Sequence, residues 1–185
     1  MAKEEGRVEY WNRKWGLREQ RFGEKVTLDC SDREKEFDSE LLKRVRDNGV
    51  LDIGYGPGEF IILVAQSSKS DVGIDPSEIA RKLAKLNLAG SRLKNVTFRD
   101  GNAERLPFPK GSFDLVYSRR GPASEDKHNL SEAHRVLRVG SPFMGSLLAY
   151  GYASAALLAM SLPAAISLLL VIFLRSKGGT EIAST

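Results

Sequence analysis

Along the middle of the chain, short apolar runs alternate with amphipathic stretches at helical spacing. Val50-Leu51-Asp52-Ile53 is apolar but for one acid and runs straight into Gly54, the pattern of a buried parallel strand. Glu59 to Gln66 follows as a helix with an apolar body, Phe60-Ile61-Ile62-Leu63-Val64-Ala65. Val72-Gly73-Ile74-Asp75 reads as a second strand ending in an acid, and Pro76-Ser77 opens a helix to about Asn87, with the proline at a first helical position. Val96-Thr97-Phe98 and Phe113-Asp114-Leu115-Val116-Tyr117 predict a third and a fourth strand. Leu130 to Leu137 predicts a helix stopped near Gly140 and Pro142, and Phe143 to Tyr150 a fifth strand. Strands alternating with helices at this spacing predict a parallel sheet covered on both faces. In such sheets ligands bind beyond the carboxyl ends of the strands.

The flanks differ from this middle. Residues 1–40 are polar with scattered aromatics, Tyr10, Trp11, Trp15, Phe22 and Phe37, and read as a helical cap segment in pieces, with loops at Gly16 and Gly23. Phe37, Leu41, Leu42 and Val45 recur at helical spacing, and Asn48-Gly49 supplies a left-handed stop. The strand–helix alternation fills residues 41–150. From Val139 through Leu174 there is no charged residue, and 151–185 reads as a hydrophobic helix with a short polar tail.

Composition narrows the classes. The 185 residues suit one domain, and a net charge of +4 is too mild to argue for nucleic acid. Cys30 is the sole cysteine, so no internal disulfide forms, which fits a reducing, cytoplasmic setting. The charged N-terminal residues are not a secretory signal.

The candidate chemistry sits at the predicted strand ends. Gly54, Gly56 and Gly58 let the backbone turn sharply and leave room for a ligand against the main chain. A nicotinamide-binding turn would place its third glycine at position 59, where Glu59 stands instead. The plain alternative is a tight turn without a ligand. Asp75 lies twenty-one positions after Gly54, where a carboxylate can accept the hydroxyls of a ribose. Its plain alternative is an acid favoured by the start of a helix.

These residues resemble the class I S-adenosylmethionine-dependent methyltransferases. The resemblance is carried in order by Val50 to Gly58, Val72 to Ser77, Gly101-Asn102-Ala103-Glu104-Arg105-Leu106-Pro107-Phe108, Ser112 to Val116 and Glu132 to Gly140. It implies an α/β, Rossmann-like three-layer sandwich with a mostly parallel sheet, here incomplete at its C-terminal edge. It also implies S-adenosyl-L-methionine as cofactor and no metal. Carried over by position, Asp52 and the glycine turn handle the methionine part, Asp75 binds the ribose, and Asn102 and Ala103 border the adenine. Tyr55, Pro76 and Ser118 complete the cofactor's surroundings. The family commonly has Asp where Asn102 stands, often Cys where Tyr55 stands, and a basic residue-Pro-Gly-Gly where Arg138-Val139-Gly140-Ser141 stands.

The acceptor side is less defined. Tyr117-Ser118-Arg119-Arg120-Gly121-Pro122 lacks the Asn/Asp-Pro-Pro-Tyr signature of amine methylation, so a small-molecule or lipid-like acceptor is expected and no catalytic side chain is assigned. Arg119 and Arg120 could attract an acidic substrate, or simply be solvated. His128 could be a general base or a surface residue, and His134 suits packing. Tyr10, Trp11 and Trp15 could form a lid over the cofactor or ordinary core. Ala155 to Leu174, as a helix, would span about 30 Å, the thickness of a bilayer core. That stretch reads as a membrane anchor, with membrane contact through 151–174, as a buried core element, or as the end of a truncated or frame-shifted chain. Methyl transfer is the function expected, and a non-catalytic S-adenosylmethionine-binding remnant is the alternative.

Overall fold

The computed structural model describes residues 2–22, 32–124, 126–146, 156–160 and 171–172. In chain order the elements are α1 (Ala2–Phe22), α2 (Asp32–Arg44), β1 (Gly49–Ile53), α3 (Glu59–Val64), β2 (Ser70–Ile74), α4 (Glu78–Ala89), β3 (Val96–Arg99), β4 (Leu115–Arg119), a 3₁₀ turn (Pro122–Ser124), α5 (Lys127–Val136), β5 (Pro142–Ser146), β6 (Ala156–Met160) and β7 (Val171–Ile172). They build one sheet in the order β3-β2-β1-β4-β5-β6-β7. The first five strands are parallel, and β6 and β7 run antiparallel to their neighbours. The chain winds outward from β1 to β3, then returns to lay β4 on the other side of β1. The β1/β4 boundary is therefore the topological switch point.

Strand alternation sorts the core into layers. Val50 of β1 joins Leu115 and Tyr117 of β4 and packs against Phe37, Leu41 and Val45 from α2 and its end, together with Phe60 and Val64 of α3. Leu51, Ile53 and Val116 belong to the cluster with Ala133, Val136 and Leu137 from α5 and its end. A third cluster joins Tyr55, Ile61 and Ala84 beside β3. Helices cover both faces of the parallel strands, as the alternating pattern predicts.

Several local boundaries depart from the sequence pattern. α1 runs unbroken through Gly16, where a loop was expected; a Cβ there would meet Ile79 Cδ1 at 3.5 Å, so the glycine brings α1 close to α4. Gly23 lies outside the described residues. α2 ends before a left-handed Asp47 (φ 60°) rather than at Asn48-Gly49, and Asn48 Nδ2 donates to Arg44 O at 2.7 Å. α4 begins at Glu78, two residues after Pro76, because Ser77 is its N-cap and accepts from Ala80 N at 3.1 Å. Phe113 makes only an isolated bridge to Leu137 ahead of β4.

The largest correction falls on the uncharged segment. Ala156–Met160 and Val171–Ile172 are strands, so one continuous helix over 155–174 is excluded. β5 is consequently not an edge: β6 pairs along all of Pro142–Ser146. Among the described residues no helix is long and apolar enough to cross a membrane, and the membrane-anchor reading finds no support.

Candidate functional site

β1 delivers the chain to the switch point, and the glycine turn begins there. Gly54, Gly56 and Gly58 have φ of 85°, 55° and 80°, a region other residues enter at a cost. All three also permit close approach, a Cβ on Gly54 falling 2.9 Å from Pro122 Cδ. A Cβ on Gly56 would lie 2.9 Å from the Trp15 ring, and one on Gly58 would lie 2.8 Å from Ala84 Cβ. The turn is thus pressed between α1 and α4, with Gly54 N donating to Ile74 O at 2.8 Å.

Asp75 ties the turn to α4. Gly56 N donates to its Oδ2 at 3.0 Å and Ser77 N to its Oδ1 at 2.8 Å. Each oxygen keeps a second lone pair for a further donor. Burial raises its carboxyl above the usual range, while these two amides and Arg81 oppose the shift. Asp52 is also buried, and its Oδ1 has no hydrogen-bond partner among the described residues. Burial pushes its carboxyl up to about 8, with Asp75 and Asp71 adding repulsion. The Tyr117 hydroxyl, across the β1–β4 pairing, lies near it outside strict hydrogen-bond geometry and favours the ionised form.

A cavity of about 340 Å³ opens at this point. Asp52, Gly54, Tyr55, Gly56, Asp75, Pro76, Asn102 and Ala103 all line it, so the structure gathers eight of the sequence-derived candidates around one space. Gly58 shapes the turn from outside the lining. Ser118 does not reach the cavity: it is fully buried, its Oγ donates to Ile53 O at 2.8 Å, and it accepts from Ala123 N at 3.4 Å. It is a brace between β1 and the 3₁₀ turn. Asn102 Oδ1 accepts from Glu104 N and Arg105 N at 3.1 and 3.2 Å, so this oxygen shapes the loop that carries Ala103. Glu132 and Arg135 hold the next stretch, through Leu106 N to Glu132 Oε2 at 2.9 Å and Arg135 Nη1 to Phe108 O at 2.7 Å.

Sequence reasoning reached less of the opposite wall. Arg7, Val8, Trp11, Lys14, Trp15 and Arg18, one face of α1, line the cavity, with Glu59, Phe60, Asn129 and Arg119 to Pro122. Trp11 and Trp15 stack with centroids 6.0 Å apart and both line the cavity, whereas Tyr10 is exposed and only abuts Trp11. The signal for this wall was the helical spacing of these six residues, obscured by reading Gly16 as a break. His128 lies off the cavity at the start of α5, and half-buried His134 packs on Phe143, its pKa lowered by burial.

A family model described as a methyltransferase domain matches residues 50–140. A demethylmenaquinone methyltransferase of Lactococcus lactis is 34% identical over 110 residues, which cover 55% of this chain and 44% of that protein. The matched segment, residues 50–140, belongs to the class I S-adenosylmethionine-dependent methyltransferases. An uncharacterized methyltransferase of Synechocystis is 36% identical over 98 residues, or 51% of this chain and 44% of that one. The solved structure of the YcgJ protein of Bacillus subtilis superposes with a TM-score of 0.57 at 27% identity, covering 61% of this chain and 50% of its own. An S-adenosylmethionine-dependent methyltransferase from Mesorhizobium loti gives 0.53 at 25% identity, with coverages of 63% and 54%. This methyltransferase chain spans less than half the length of those two curated relatives. Its cofactor is S-adenosylmethionine, and the cavity fits that group. The glycine turn leaves room against the main chain, and a buried carboxylate oxygen awaits a donor.

Proposed function

We propose that this chain transfers a methyl group from S-adenosylmethionine to a small, lipid-like acceptor. The observation that carries the reading is one cavity at the β1/β4 switch point, joining the glycine turn, the orphan Asp52 oxygen and Asp75. When bound, the cofactor supplies an electrophilic methyl sulfonium. The chain's own residues then have to hold, orient and dry the reactants. Gly54, Tyr55, Gly56 and Asp52 would receive the methionine part, with Asp52 Oδ1 accepting from an ammonium. Asp75 and Pro76 would hold the ribose, and Asn102 and Ala103 would border the adenine. Trp11 and Trp15 would exclude water from above. The lipid-like acceptor is supported by the demethylmenaquinone methyltransferases among the relatives and by the aromatic wall of the cavity.

The test is calorimetry with S-adenosylmethionine, followed by labelled-methyl transfer into lipid, protein and small-molecule fractions. Binding is expected, with label in the lipid or small-molecule fraction. Binding without transfer to any fraction would support a cofactor-binding remnant instead. Asp75→Ala is expected to weaken binding by about 1–3 kcal/mol, the scale of lost hydrogen bonds to a charged group. An unchanged affinity would remove Asp75 from the site.

A further inference from the structure

The two ends of the cavity differ in charge. Asp52 and Asp75 place their carboxyls at the cofactor end, whereas Lys14, Arg18, Arg119 and Arg120 border the end beyond β4. Lys14 and Arg18 stand one helical turn apart on α1. Arg120 projects from a left-handed residue (φ 57°) just past β4, an arrangement that costs backbone energy and clusters at functional sites. Arg119 is sealed beneath, pairing with Asp38 at 2.7 and 3.0 Å and with Glu34 at 3.5 Å. Arg120 shares that same Glu34 at 2.8 Å. Arg18 lies 3.9 Å from Glu59, whose carboxyl burial pushes up to about 7. Lys14, Arg18, Arg119 and Arg120 thus crowd one stretch of the cavity wall, and Glu59 beside them is half-neutral near pH 7. Lys14 feels this crowding: burial and then repulsion from Arg120 and Arg18 lower its pKa. Apolar walls adjoin the cluster in Trp11, Trp15, Phe60 and Pro122.

We propose that the methyl acceptor carries an anionic group, a carboxylate or one of similar size, held by Lys14, Arg18 and Arg120 with its apolar body against Trp11, Trp15 and Phe60. This rests on the methyltransferase reading above. An oxyanion there relieves the mutual repulsion of the three cations and gains charge-assisted hydrogen bonds. The acceptor class is thus an acidic amphiphile.

The chain's two tryptophans, Trp11 and Trp15, both line the cavity, so intrinsic fluorescence reports its occupancy. The protein, saturated with S-adenosylhomocysteine, is titrated with octanoate, 1-octanol and octylammonium. Octanoate is expected to bind about tenfold tighter than octanol, one strong charge-assisted contact's worth, and octylammonium more weakly than either. Lys14→Gln and Arg120→Asn should each bring octanoate to within about threefold of octanol. Lys14 is exposed, so that variant keeps its fold, and Asn tolerates the left-handed backbone at 120. Equal binding of octanoate and octanol would overturn the inference. So would an octanoate preference that vanishes once S-adenosylhomocysteine is bound, since the cluster would then serve the cofactor's own carboxylate. Failure of S-adenosylhomocysteine itself to bind would overturn the methyltransferase reading, and this inference with it.

Discussion

Asp52 combines burial, an unpartnered oxygen and a carboxyl shifted to about 8. Its folded pKa is raised, so the neutral form is favoured by folding. Stability from that neutral form is present at low pH and is lost as pH rises from the unfolded value near 4 toward 8. A cationic ligand reverses the preference and expels the proton. Cofactor affinity should therefore rise with pH up to about 8 and then level, and calorimetry in buffers of different ionisation heat should register proton release. Asp52→Asn should raise the melting temperature of the cofactor-free protein at pH 8 while weakening cofactor binding. Ser118 presents the opposite case, a buried side chain that serves the frame. Ser118→Ala should cost about 1–2 kcal/mol in urea unfolding, because it orphans Ile53 O and Ala123 N. Position in the motif marked Ser118 for the cofactor, but only the approach of the 3₁₀ turn determines where its hydroxyl goes. Asp52, Asp75 and Ala103 were legible because strand ends and loop spacing place them whatever surrounds them.

Elements add what single residues do not. α1 was read as pieces because glycine inside a helix costs roughly 1 kcal/mol relative to alanine. Gly16 faces Ile79, so contact with α4 offsets that cost, and contacts between distant segments are not written in local pattern. The same holds for the uncharged segment, where Ala- and Leu-rich stretches carry helix propensity yet Ala156–Met160 pairs with β5. At Gly56 the glycine turn meets α1. Gly56→Ala would force a strained backbone and drive a methyl group into Trp15. It should shift tryptophan emission toward longer wavelengths and abolish measurable cofactor binding. An unaltered spectrum would show that α1 does not rest on the turn.

On the scale of the molecule, a five-stranded parallel sheet supplies the switch point, and two antiparallel strands cover its β5 side. The parallel part was legible because βαβ units repeat a recognisable alternation. The return of the chain along β5 was not, because antiparallel pairing depends on register rather than on composition. A chain cut after Tyr150 loses β6 and β7 and leaves β5 with unpaired backbone groups. It should associate or aggregate in light scattering at concentrations where the full chain does not; equal behaviour would mean that β6 does not protect β5.

The division of the cavity between α1 and the sheet bears on the choice of acceptor. The family model matches residues 50–140, whereas six cavity residues come from a single 21-residue helix ahead of that segment. Under the proposed function, most residues assigned to the methyl donor and much of the surface assigned to the acceptor lie on separate stretches of chain. On that reading, changes in α1 away from Trp15, which rests on the glycine turn, would alter what is methylated more than how the donor is held. Chimaeras that swap α1 between relatives would then be expected to change the acceptor, read out by labelled-methyl transfer.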